Sequence, residues 1–96
     1  MTSGTESVKR TIVIMNPRGF HMRPAAKFAQ LANSFSCSVL VWIHDRSVNG
    51  KSLWDLVALA ANHGTELVIE TIGNDAELAA TKLAEIASDL GDTDPD

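Results

Sequence analysis

The segment Gly19-Phe20-His21-Met22-Arg23-Pro24-Ala25 lies between an apolar run of strand character and an alanine-rich run of helical character. It sets a titratable nucleophile at the start of a helix. Imidazole can attack phosphorus, a guanidinium can hold the incoming oxygens, and the backbone N–H groups of a first helical turn add partial positive charge. Pro24 has a preset φ and no N–H to give, which suits a first turn and not a helix interior. Upstream, Thr11-Ile12-Val13-Ile14-Met15 is a β-branched run that predicts a strand, ended by the turn chemistry of Asn16-Pro17-Arg18-Gly19. Downstream, Ala25, Phe28, Ala29 and Ala32 recur at helical spacing, with Phe35 next in register, predicting a helix from Met22 or Arg23 to Asn33.

The same reading extends along the chain. Ser38 to Ile43 predicts a second strand, and His44-Asp45 a tight hairpin into a short third strand at Arg46-Ser47-Val48. Asn49-Gly50 turns the chain again. Ser52 is then an N-cap with Asp55 three residues on, opening a second helix that carries Leu53, Leu56, Val57, Leu59 and Ala60 and stops near Gly64. Glu66 to Ile72 predicts a fourth strand. Asn74 or Asp75 caps a third helix, whose Ala79, Leu83, Ile86, Ala87 and Leu90 share a face before Gly91 ends it. The order βαββαβα implies one α+β domain over residues 1–96, with three helices on one face of a four-stranded, mostly antiparallel sheet. Residues 1–8 and 92–96 are expected to be flexible ends.

Composition narrows the function. With 96 residues there is room for one core and no cofactor domain. No apolar run nears the roughly 20 residues of a membrane span, and Met1 to Ser7 lacks a secretory pattern, so a cytoplasmic location without membrane insertion is expected. Cys37, the single cysteine, stands in an apolar setting that favours a buried thiol over a reactive one, and no Cys/His group has metal spacing. The net charge of −4 is unevenly spread: Ser7 to His44 holds five basic residues and no carboxylate, whereas Asp45 to Asp96 holds three basic residues against eleven acids. The half carrying His21 is a positive field suited to an anion. Nucleic acid is a poor partner, because the basic residues are scattered, tyrosine is absent and no binding motif appears.

Together with the element order, Gly19 to Ala25 and Val48-Asn49-Gly50-Lys51-Ser52-Leu53 resemble the histidine-containing phosphocarrier protein (HPr) family of the bacterial phosphoenolpyruvate-dependent sugar phosphotransferase system. The resemblance runs from about Lys9 to Leu90. It implies an open-faced β-sandwich in which His21 accepts phosphate on Nδ1 from phosphorylated enzyme I and passes it to sugar-specific IIA components. Such a protein is a carrier rather than an enzyme with turnover of its own, and it needs no cofactor or metal. Arg23 would contact the phosphoryl oxygens, with Gly19, Pro24, Ala25 and Arg18 supporting the site. Ser52 corresponds to the position phosphorylated by HPr kinase/phosphorylase in regulated members, and is at the same time a helix N-cap. Matched to the family, Leu56 and Leu59 point inward while Phe20, Leu53, Trp54 and Val57 form an apolar docking rim, Trp54 having the alternative of a core residue. His44 and His63 read as a hairpin residue and a helix-end residue. Met22, Phe20, Arg18 and Asp55 depart from the residues usual at their positions.

Two further expectations follow. Strand alternation sends Ile12, Ile14, Val39, Val41, Ile43, Leu67 and Ile69 toward the helices, leaving Val13, Met15, Leu40, Trp42 and Val68 on an open face apolar enough for self-association. A regulatory module acting mainly through Ser52, with little sugar-transport role, is the alternative to the carrier.

Overall fold

The computed structural model describes residues 7–93, with side chains through residue 88. Four strands, β1 (Ser7–Val13), β2 (Ser38–Ile43), β3 (Arg46–Asn49) and β4 (Glu66–Ile72), form one sheet in the order β1-β4-β2-β3, every pair antiparallel. Helices α1 (Met22–Ala32), α2 (Leu53–Ala58) and α3 (Ala76–Thr93) pack on one face, giving the α+β open-faced sandwich. The core comes from strand alternation meeting helical stripes. Ile12, Ile14, Val39, Val41, Leu67 and Ile69 from the sheet side bury against Ala25, Phe28, Ala29 and Ala32 of α1, Leu56 of α2, and Ala79, Leu83 and Ala87 of α3. Ile43 and Ile86 pack on its border, while the side chain of Leu90 lies outside the described residues.

Several boundaries differ from expectation, each for a local reason. Strand β1 begins at Ser7, so residues 7 and 8 are not part of a flexible end; Val8 is buried with Ala76 and Ala80 in a small second cluster. The polar Lys9 and Arg10 hide this strand from a reading based on apolar runs: Lys9 lies on the outer face, whereas Arg10 shares the face of Val8 and Ile12 and pairs with Glu77 of α3 at 2.7 Å. Helix α2 stops at Ala58 and not near Gly64, because Ala60 takes a left-handed φ of 54° that no helix continues through. His63 is consequently an exposed loop residue and not at a helix end. Helix α3 runs through Gly91 to Thr93, since a helical glycine costs only about 1 kcal/mol and nothing after it forces a turn. Residues 92 and 93 are therefore helical, and the remaining expected ends, 1–6 and 94–96, lie outside the described residues.

Asp75 precedes α3, but its carboxylate is spent elsewhere. It accepts the backbone N–H of Ser36 at 3.0 Å and of Cys37 at 2.9 Å, tying the α1–β2 connection to the start of α3. The Ser36 and Cys37 amides stabilise the ionised form and hold its pKa down to about 2. Burial, then the hydrogen bond with Asp75 and its charge, push the Cys37 thiol up to about 11. A folded pKa below the unfolded one gives stability that is present above the unfolded value, near 4, and lost as pH falls toward 2. The thermal-stability gap between the native protein and Asp75→Asn should therefore shrink between pH 5 and pH 2, as read by melting curves across that window. Cys37 should resist alkylation at neutral pH until the protein is unfolded.

The outer sheet face is more polar than the apolar subset suggests. Lys9, Thr11, Glu66, Glu70, Ser38, Ser47 and Asn49 interleave with Leu40, Trp42 and Val68 across the paired register. Trp42 Nε1–H donates to Glu70 at 2.9 Å and Ser7 Oγ–H donates to the same carboxylate at 2.7 Å, which lowers its pKa. Leu40, Trp42 and Val68 are half-buried, and the exposed apolar pair is Val13 and Met15. The polar rows dilute the apolar patch on which the expectation of self-association rests, without covering Val13 and Met15.

Candidate phosphoacceptor site

The chain leaves β1 and stays antiparallel to the α2–β4 connection for two more residues. Ile14 N–H donates to the Thr65 carbonyl at 2.9 Å, and Gly64 N–H to the Ile14 carbonyl at 2.8 Å. Asn16 then builds an Asx turn: its side-chain Oδ1 accepts Arg18 N–H at 2.9 Å and its carbonyl accepts Gly19 N–H at 2.8 Å. Gly19 carries the sharp bend with φ +78°, its Cα pressed on the Ala61 carbonyl so closely that a Cβ would lie 2.4 Å from that oxygen. The next amide, Phe20 N–H, donates to the same carbonyl at 2.8 Å. The connection after α2 is therefore the bed on which the histidine loop rests.

That bend turns Phe20 inward. It is 4% exposed and meets Phe28 edge to face, with ring centroids 5.8 Å apart. Phe20 is accordingly a core anchor and not part of the docking rim. With Phe20 pinned inside, His21 falls at the N-cap of α1, half-buried, in extended backbone (φ −84°, ψ −166°), and its carbonyl accepts the first helical N–H, from Ala25, at 3.0 Å. No side-chain cap comes from His21 and no acid stands in the first turn, although the helix dipole favours negative charge there. Pro24 lacks an N–H, so the first-turn donors are those of Met22 and Arg23. Pro24 and Ala25 are buried and fix the helix on the core.

His21 opens on a surface groove of about 700 Å³ lined also by Arg18, Met22, Arg23, Ala26, Lys27 and Gln30. Three cations and no carboxylate line it, the local form of the charge asymmetry in the sequence. The structure thus brings together Arg18, His21 and Arg23 as read from the sequence. It adds Lys27, one helical turn beyond Arg23, and Asn16, whose amide nitrogen lies 3.4 Å from His21 Nε2. The spacing of four between Arg23 and Lys27 was the available signal for the first. An asparagine that is also a turn former gave none for the second.

Ser52 is the N-cap of α2, its Oγ accepting Asp55 N–H at 3.2 Å. Asn49 sets it in place by accepting Lys51 N–H through its side chain at 2.9 Å and Ser52 N–H through its carbonyl at 3.1 Å. Ser52→Ala should cost about 1 kcal/mol of stability by chemical denaturation, from the lost cap alone. Along α2, Leu56 and Leu59 are buried, Leu53 and Val57 lean on the core, and Trp54 is 68% exposed, which excludes its reading as a core residue. Among the described residues no cluster could hold a metal ion and no helix is long and apolar enough to cross a membrane.

A family profile described as the HPr component phosphorylation site of the phosphotransferase system matches residues 8–89. The phosphocarrier protein HPr of Borreliella burgdorferi is 38% identical over 79 residues, covering 82% of this chain and 92% of the relative. The HPr-like protein Crh of Bacillus subtilis is 36% identical over 77 residues, covering 80% and 91%. The solved histidine-containing phosphocarrier protein of a mycoplasma superposes with a TM-score of 0.83 at 31% identity, covering 88% of this chain and 96% of that one. The fold, the profile match and these relatives agree, and the chain belongs to the HPr family of phosphotransferase-system phosphocarrier proteins.

Proposed function

We propose that this protein is a cytoplasmic, single-domain phosphoryl carrier that accepts phosphate on His21 from phosphorylated enzyme I and passes it to sugar-specific IIA components. The supporting observation is the placement of a half-buried imidazole at an uncapped, acid-free helix start in a groove with Arg18, Arg23 and Lys27. In the transfer, a bond forms between His21 Nδ1 and phosphorus as the bond from phosphorus to the donor breaks. The electron pair of that bond goes to the donor, which takes up the proton the ring gives up. Arg23 and the first-turn amides of α1 stabilise the phosphoryl oxygens, and Arg18 adds charge beside them. A clamp this open stabilises the phosphorylated ring without trapping it. Trp54, with Leu53 and Val57, forms the surface on which donor and acceptor dock in turn.

The test is incubation with phosphoenolpyruvate and enzyme I. One acid-labile phosphate per chain is expected, absent in His21→Ala; no label, or label that survives that substitution, would reject the carrier. The match to the HPr-like protein Crh favours a second reading, regulation through Ser52. An acid-stable label from ATP and HPr kinase/phosphorylase, lost in Ser52→Ala, would support it.

A further inference from the structure

The groove at His21 runs from the N-cap of α1 along one surface of that helix, past Met22, Arg23, Ala26, Lys27 and Gln30. Lys27 is exposed, and Ala26 beside it has only a methyl to set in the groove. Lys27 follows His21 by six residues, about 9 Å along the helix axis. Helical side chains lean toward the N-terminus, so the long, flexible stem of Lys27 carries its ammonium back over the turn of Arg23 and toward the ring. Arg23 and Lys27 are like charges at a spacing of four, which is mildly unfavourable until an anion bridges them. The groove lining holds no carboxylate. An anion brought between Lys27 and His21 therefore meets attraction from the lysine and no opposing charge from the lining.

We propose that Lys27 is a further cation of the phosphoryl clamp, its ammonium contacting the oxygens of the phosphoryl group carried on His21 and setting how strongly the chain holds it. For its use in transfer this rests on the carrier reading above; the contact itself is a property of the phosphorylated ring. A phosphoryl group carries up to two negative charges, and a nearby ammonium attracts the doubly ionised form more than the singly ionised one. Lys27 thus stabilises the loaded chain at equilibrium. A lysine that only steered an acidic partner would instead change the rate of encounter and leave the phosphorylated ring unaltered.

Phosphorus NMR of the full chain separates the two roles. The chain is phosphorylated without any partner by phosphoramidate, whose phosphoryl group passes to imidazole with loss of ammonia. His44 and His63, both exposed and outside the groove lining, are labelled alongside and serve as internal references. Lys27→Gln keeps the fold, since the position is exposed and glutamine is a comparable helix former; Arg18 and Arg23 stay in place in every variant. In Lys27→Gln the phosphoryl group on His21 should complete its second ionisation at higher pH than in the native chain, with those on His44 and His63 unmoved. Lys27→Arg should restore the native midpoint. With phosphorylated enzyme I as donor, the equilibrium constant for loading the chain should fall about fivefold in Lys27→Gln. A native midpoint in Lys27→Gln would overturn the proposal, and slower transfer with that midpoint native would reduce Lys27 to a steering residue. Failure of enzyme I to label His21 would reject the carrier instead and leave the phosphorus measurement standing.

Discussion

Gly19→Ala is expected to lose about 2–4 kcal/mol of stability and, in whatever fraction stays folded, most of its phosphoryl acceptance. Two separate costs meet at this position. The φ of +78° is strained for any residue with a Cβ, and the added methyl would lie 2.4 Å from the Ala61 carbonyl oxygen. Backbone is an unyielding neighbour, and this carbonyl also receives Phe20 N–H. Relief of the clash must lift the loop from the connection after α2, breaking that hydrogen bond and moving His21 with it. Urea denaturation gives the stability term, and the initial labelling rate at a concentration where the variant is folded gives the other. A variant that melts like the native protein and labels at the native rate would show that the loop is not held as described.

Phe20→Ala should be comparably severe for a different reason, costing about 3–5 kcal/mol through lost burial and a residual cavity. Phe20 is part of the main core and fills the space beside Phe28 in an edge-to-face pair. The measurement separates two roles the residue could have had. A rim residue that receives partners would leave stability nearly unchanged when truncated and would weaken transfer; a core anchor loses stability first. Trp54→Ala is the complementary control, since a side chain 68% exposed should affect partner transfer with little change in melting temperature.

Much of the fold was legible because apolar periodicity and turn chemistry agree. Strands β2 and β4 match the expected runs end to end, and α1 stops one residue short of Asn33, its C-cap. The misreadings share a physical origin, which is that backbone conformation at single residues is weakly encoded. Ala58 to Ala61 is as suited to helix as what precedes it, yet the left-handed turn at Ala60 ends α2 early. His44 likewise takes a φ of 55° in the β2–β3 hairpin, a position where glycine is usual. At the candidate site, the gathering of His21, Arg18 and Arg23 in one groove was legible. The inward direction of Phe20 was not, because it depends on a bend at Gly19 that is set by Ala61, more than forty residues away. Asn16 was hidden for a related reason: its residue type announces a turn and is silent about what its second functional end touches.

The bed under the histidine loop has a bearing on when the protein becomes competent during its synthesis. His21 belongs to the first quarter of the chain, but the carbonyls of Ala61 and Thr65 that fix its loop come much later, as does β4, the central strand that pairs with both β1 and β2. A ribosome-bound chain that has exposed β1, α1 and the β2–β3 hairpin has His21 and the neighbouring arginines but lacks the surface on which their loop rests. The closing contacts are non-local, and such contacts are made only after the intervening chain is available. On the carrier reading proposed above, phosphoryl acceptance is therefore expected only once β4 has been released.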